Sequence, residues 1–183
     1  MRGGGGTRRR GDRIGIWDEA TRGHHRGARS HLRHLDIRRA TPADLPVIVA
    51  MLADDIRGKA RDDPSLPLDP AYEAAFAAVD ADPRQYLAVA ELSGAVVGTL
   101  QLSFLPGIGH KGAWRGQIEA VRIASHLRGQ GLGAEMIAWA VETCRARGCR
   151  MVQLTSDAGR LDTHRFYLKL GFKQSHLGFK LTL

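Results

Sequence analysis

The sequence predicts an α+β domain built on a mixed, mostly antiparallel central sheet flanked by helices. Three observations carry that expectation. Gln85 to Leu92 and Ala95 to Phe104 read as strands joined by Ser93-Gly94, a two-residue hairpin signal. Gln117 to Ile123 reads as a strand, and a glycine-rich turn carries it into a helical stretch, Leu132 to Arg147. Met151 to Leu154 then supplies a short apolar strand, so a β–α–β crossover follows the antiparallel hairpin.

The elements follow in order. Ile37 to Ala40 is a first short strand, and Thr41-Pro42 is a helix start, with Thr41 as N-cap and proline at the first helical position. That helix is expected to run to about Arg57. Residues 58–70, with Asp62, Asp63 and three prolines, form a loop, and Ala71 to Val79 a second helix. Leu132, Met136, Ala140 and Cys144 recur at helical spacing along the third, which stops at Gly148. Leu161 to Leu170 is a fourth, stopped by Gly171, and Phe172 to Leu183 is expected to supply one or two final strands.

At 183 residues the chain suits one domain with a real core, and no apolar run is long enough to span a membrane. Its net charge of +8 is unevenly placed. Residues 1–35 hold nine Arg against Asp12, Asp18 and Glu19, a net of +6, which leaves +2 for residues 36–183. The domain is therefore expected over 36–183, with 1–35 a disordered basic Gly/Arg-rich tail. The tail has no apolar h-region and does not read as a secretory signal. Such a tail can bind nucleic acid nonspecifically, but a solvated extension is the better reading. Cys144 and Cys149 form neither a CxxC pair nor half of a zinc set. They read as reduced packing residues of a cytoplasmic protein, and no metal is expected.

Arg128-Gly129-Gln130-Gly131-Leu132-Gly133-Ala134 is the run that points to function. A glycine-rich turn from strand into helix leaves backbone N–H groups lined up at the positive end of the helix dipole, a site for phosphate or pyrophosphate. Arg128 adds a positive charge at the mouth. No Lys-Ser/Thr pair follows, which excludes a Walker-type loop. Gly129, Gly131 and Ala134 satisfy the looser dinucleotide fingerprint. They lie two-thirds of the way along the chain, however, and lack the acidic residue about 20 positions on.

Arg128-x-x-Gly131-x-Gly133 also resembles the Q/R-x-x-G-x-G/A signature of the GNAT N-acetyltransferase superfamily, which cradles the pyrophosphate of acetyl-coenzyme A. Ile118-Glu119-Ala120-Val121-Arg122-Ile123 resembles that family's fourth strand, and Phe166 to Phe172 its FYxKxGF segment. The likeness runs from about Ile37 to Leu183. It implies a GNAT-like sheet, acetyl-CoA as donor, and a primary amine of a small molecule or peptide as acceptor; a homodimer is left open. It also implies Glu119 as general base, directly or through water, and Tyr167 as general acid. The backbone of Val121, Arg122 and Ile123 is expected to hold the pantetheine arm, and Arg128, Gly129, Gln130, Gly131, Leu132, Gly133 and Ala134 the pyrophosphate.

Competing readings stand beside these. Glu119 is otherwise an exposed or salt-bridged strand glutamate, with Arg122 as one partner for it, and Tyr167 an aromatic core residue beside Phe166 and Phe172. Arg160 stands where many family members carry a cofactor-contacting Asn, and reads first as a solvated helix-start residue. His164 and His176 are secondary candidates for the base. The acceptor region collects Asp54, Asp55, Asp62, Asp63 and Asp69, with Trp114 or Tyr72 as a pocket floor. Two alternatives to the transferase remain: an NAD(P)-binding protein, and a non-catalytic acetyl-CoA sensor.

Overall fold

The structure, a computed structural model, describes residues 35–55 and 61–183. The expectations for residues 1–34, and for the first helix beyond residue 55, lie outside the described residues.

Five strands form one sheet in the order β1-β2-β3-β4-β5: β1 Leu35–Arg39, β2 Gln85–Leu92, β3 Ala95–Leu105, β4 Arg115–Ile123 and β5 Met151–Leu154. The first three pairings are antiparallel and the last, β4 with β5, is parallel. This is the mixed sheet expected from a hairpin followed by a crossover. Ser93 (φ 54°) and Gly94 (φ 80°) are both left-handed, the geometry a two-residue hairpin requires.

Helix α1, Leu45–Ala53, follows a 3₁₀ turn, Pro42–Asp44. Thr41 opens the turn as expected, but Asp44 does the capping: its carboxylate accepts from the Thr41 N–H (2.7 Å) and hydroxyl (2.8 Å). Asp44 is buried and also takes both Arg38 Nη groups, at 2.8 and 3.0 Å. Helix α2, Pro70–Ala81, is capped by Asp69, which accepts the Ala71 N–H at 2.8 Å. Among the described residues no helix is long and apolar enough to cross a membrane.

The sheet has a core on each face. On one, helix α3 (Leu132–Ala146) lays Leu132, Met136, Ile137, Ala140 and Cys144 against Leu100, Leu102, Phe104 and Ile118. On the other, Leu45, Ile48 and Phe76 of α1 and α2 cover Val89. The seat of α3 on β4 depends on Gly116, where an added Cβ would stand 2.2 Å from Cys144 Sγ. Cys144 is fully buried, which pushes its thiol up to about 11, and Cys149 is partly buried; both are free thiols.

One expectation fails. Helix α4, Leu161–Lys169, ends as foreseen, with Gly171 left-handed (φ 89°), but residues 172–183 form no strand. Phe172 turns back, its N–H bonding Tyr167 O at 3.1 Å. Leu177, Phe179, Leu181 and Leu183 beyond it are exposed. Their alternation gives the face a strand would bury, but a strand exists only with a ladder partner, and β5 pairs with β4 alone.

Candidate active site

The site begins where two strands part. β4 and β5 pair in register from Arg115 opposite Met151 to Ile118 opposite Leu154, and there the ladder stops. β4 continues for five residues, Glu119 to Ile123, held on its other side by β3. On that side a bulge intervenes. Gln101 faces Glu119 and Thr99 faces Arg122, so Ala120 and Val121 together oppose Leu100. Ala120 is left-handed (φ 53°), a strained conformation for a residue with a side chain.

The bulge decides what faces where. Three residues apart on a regular strand, Glu119 and Arg122 would lie on opposite faces. Here both share the face of their register partners Gln101 and Thr99, which continues through Leu87 and Val89 to the α1–α2 side. Val121 and Ile123 turn to the α3 core. The open stretch of β4 thus presents a carboxylate and a guanidinium together.

After β4 come a 3₁₀ turn, Ser125–Leu127, and then the glycine run. Gly129 (φ 78°) and Gly131 (φ 89°) are left-handed, and nothing lies within 4 Å of where their Cβ atoms would stand. Glycine is needed there for the backbone path. The N–H groups of Ala134 and Glu135 donate to Gly131 O at 2.9 and 3.2 Å. Those of Leu132 and Gly133, at the start of α3, are left without an intrahelical acceptor, the usual state of a helix's first turn. Arg128 folds back: Nε donates to Ile123 O (3.0 Å), and Nη2 to Asp54 O (2.9 Å), with Asp54 Oδ2 at 3.3 Å. Its side chain therefore ties the turn to the ends of β4 and α1.

Glu119 is exposed on the open stretch. Arg122 is held not by Glu119 but by Asp55: its Nη2 lies 3.7 Å from that carboxylate, to which Arg160 Nη2 also donates. Arg160, read from sequence as a solvated helix start, is thus part of a two-arginine cluster with a residue 105 positions away. Tyr167 is half-buried, edge-on to Phe166 (ring centroids 5.1 Å apart) and Phe172 (5.7 Å). Burial raises its phenol above the ordinary value, while the Arg122 charge pulls the other way. The group is protonated at neutral pH and lies within electrostatic reach of Arg122.

Two buried side-chain polar atoms without a hydrogen-bond partner stand out among the described residues: Arg122 Nε and Ser156 Oγ. One belongs to the open end of β4, the other to the segment just past β5, so they mark the two strands that separate. Ser156 was not anticipated, and no sequence pattern singles it out. An open recess of about 560 Å³, lined by Ala50, Ala53, Asp54, Arg61, Asp62 and Asp63 among others, adjoins the C-terminal end of α1. Tyr72 stands beside it, its hydroxyl accepting the Asp63 N–H at 3.0 Å. Trp114 lies elsewhere, ahead of β4, in a recess with Phe104 and Arg147. His164 Nε2 is engaged by Asp157 O at 2.9 Å, and His176 is exposed outside any strand.

Comparison with known proteins agrees with this architecture. The model of the acetyltransferase (GNAT) family matches residues 50–172. An aminoalkylphosphonate N-acetyltransferase of Salmonella typhimurium is 32% identical over 149 residues, covering 81% of this chain and 91% of that protein. A solved structure from Bacillus halodurans, named a transcriptional regulator, is 44% identical with a TM-score of 0.80, over 82% of this chain and all of that one. A protein of Clostridium acetobutylicum solved with acetyl-CoA shares the fold at a TM-score of 0.63 and 20% identity, over 81% of this chain and 96% of that one.

Proposed function

The chain belongs to the GNAT family of acetyltransferases and is an N-acetyltransferase; we propose that Glu119 and Tyr167 carry its proton transfers and that the open half of β4 receives the acetyl donor. The observation that carries this reading is the parting of β4 from β5 immediately before Glu119. The dinucleotide alternative needs a parallel βαβ sheet around its glycines, and this sheet has a single parallel pairing.

The residues present fit acetyl-CoA. The left-handed Gly129 and Gly131, with the N–H groups of Leu132 and Gly133 at the helix start, suit a pyrophosphate. The unpaired edge of β4 at Val121 to Ile123 suits an extended pantetheine amide chain, and Ser156 Oγ borders the same gap. Acetyl-CoA supplies an activated acetyl thioester. Glu119 takes the proton of the attacking amine, directly or through water. Backbone N–H groups just past the bulge donate to the carbonyl oxygen as it gains charge. The Tyr167 hydroxyl, which burial keeps protonated at neutral pH, donates to the departing thiolate.

The acceptor is a primary amine of a small molecule. The aminoalkylphosphonate named for the Salmonella relative is the first class to try. Two free thiols suit a reducing compartment, and on that ground we place the enzyme in the cytoplasm.

The test is calorimetric titration with acetyl-CoA, with NADH and NADPH in parallel, followed by thiol release over an amine panel. Glu119→Gln is expected to lower kcat by about 10² or more while leaving acetyl-CoA affinity unchanged. Full activity in that variant at pH 7 would move the base elsewhere. A second reading has one observation in its favour, the regulator's name carried by the 44% identical structure. In that reading the protein binds acetyl-CoA without turnover, and binding with no thiol release on any amine would establish it.

A further inference from the structure

The Arg122–Asp55–Arg160 cluster has a feature that an internal ion pair does not explain. Two guanidinium groups, one from β4 and one from the start of α4, converge on one carboxylate at the end of α1. Arg61 and Asp62 lie close enough to act on Arg122 electrostatically. These five groups hold three positive charges against two negative. Burial works against the Arg122 charge, the largest influence upon it, and its Nε–H is still left buried without an acceptor. A desolvated guanidinium with an unused donor is costly unless something else takes that donor. Arginine presents its donors as a planar fork that matches the oxygens of phosphonate, phosphate or carboxylate.

The position fits a substrate that also reaches Glu119. The bulge puts Glu119 and Arg122 on one face, three residues apart, with about 10 Å of strand between them at most. An amine at the carboxylate and an oxyanion at the guanidinium would be joined by a linker of two or three carbons. Resting on the proposed acetyl transfer to an amine, we infer that Arg122 and Arg160 form an oxyanion-recognition site that selects short aminoalkyl acceptors ending in a phosphonate or phosphate. Asp55 holds the two guanidinium groups side by side and keeps them from repelling each other apart.

The experiment compares acceptors that differ in one end only: 2-aminoethylphosphonate, O-phosphoethanolamine, β-alanine and ethanolamine. The expected order of kcat/KM places the two dianions first, the carboxylate next and the neutral alcohol last. Arg160→Gln is expected to lower the phosphonate-to-ethanolamine ratio of kcat/KM by about 10- to 100-fold, the loss of one charge-assisted contact. The change should appear mainly in KM for the acceptor. Arg160→Lys keeps the charge without the fork and is expected to recover part of the ratio. Arg122→Lys serves as the second variant, and its fold is checked by circular dichroism.

A direct readout separates this inference from the transferase reading. Methylphosphonate, which has no amine, is titrated into wild-type and Arg160→Gln protein with and without saturating coenzyme A. Binding by the wild type that weakens in the variant upholds the oxyanion site even if no amine is acetylated. Ethanolamine turned over as well as the phosphonate, or an unchanged ratio in Arg160→Gln, overturns it while leaving the acetyltransferase intact.

Discussion

Gly116→Ala tests how the α3 helix, and the turn it carries, is held on the sheet. The new methyl would stand 2.2 Å from Cys144 Sγ and 3.1 Å from Cys144 Cβ, where ordinary contact begins near 3.4 Å. Gly116 is buried in β4, and Cys144 is fully buried in α3, so neither has room to move alone. Overpacking of this kind costs about 2 kcal/mol, within the usual range of one to three. For a chain of this length that corresponds to a fall in Tm of about 4–8 °C. The partner is identified, so a double-mutant cycle applies. Cys144→Ala alone should cost about 1 kcal/mol from lost packing. In Gly116→Ala/Cys144→Ala the sulfur is gone while the tight Cβ contact remains, so the double variant should recover most, not all, of the first loss. Urea or thermal melts of the four proteins supply the coupling energy. The reasoning fails if Gly116→Ala lies within 0.5 kcal/mol of the wild type, or if the two effects simply add. Cys144 and Leu132 sit at opposite ends of α3, roughly 18 Å apart along the axis. A tilt at one end displaces the glycine turn at the other, so KM for acetyl-CoA should also rise in Gly116→Ala and fall back in the double variant.

Two further outcomes are expected. Hydrogen bonds from Arg38, with those from Thr41, hold the buried Asp44 carboxylate well below the usual range. A depressed folded value gives stability that is present above the unfolded value, near 3.9, and lost as pH falls below it. Arg38 is 40% exposed, so its share is screened; Asp44→Asn should cost about 2 kcal/mol at pH 7 and flatten the decline below pH 4. Equal acid sensitivity in urea melts of both proteins would contradict this. Tyr167→Phe keeps the ring contacts to Phe166 and Phe172 and removes only the hydroxyl; kcat should fall by about 10² with melting temperature and acetyl-CoA affinity nearly unchanged. Undiminished thiol release would assign the acid to another group.

Much of the fold could be read from local chemistry. Ser93-Gly94 announced a hairpin because only certain residues tolerate two left-handed positions, and the 132–146 helix was visible in its apolar spacing. The glycine turn was legible for the same reason, since its backbone path excludes side chains at Gly129 and Gly131. The bulge was not. Ala120 is an unremarkable strand residue by type, and its left-handed conformation is imposed by the pairing of β3 with β4. The arginine cluster was hidden for a different reason: its members come from α1, β4 and α4, and only the tertiary fold brings them to one carboxylate. The C-terminal strands do not form, because alternation in Leu177, Phe179, Leu181 and Leu183 describes a face and says nothing about a neighbour.

The parting of β4 from β5 also draws a line through a single strand. Ile118, 2% exposed, is the last residue bound on both sides; Glu119, the next, is open. Substitutions at these adjacent positions should have separate fates, one read in folding yield and the other in turnover. Beyond the line, β3 is the one strand among the described residues that pairs with β4. On that stretch exposed Glu119 can be exchanged without disturbing the packing, whereas Val121 and Ile123 remain bound to the α3 core.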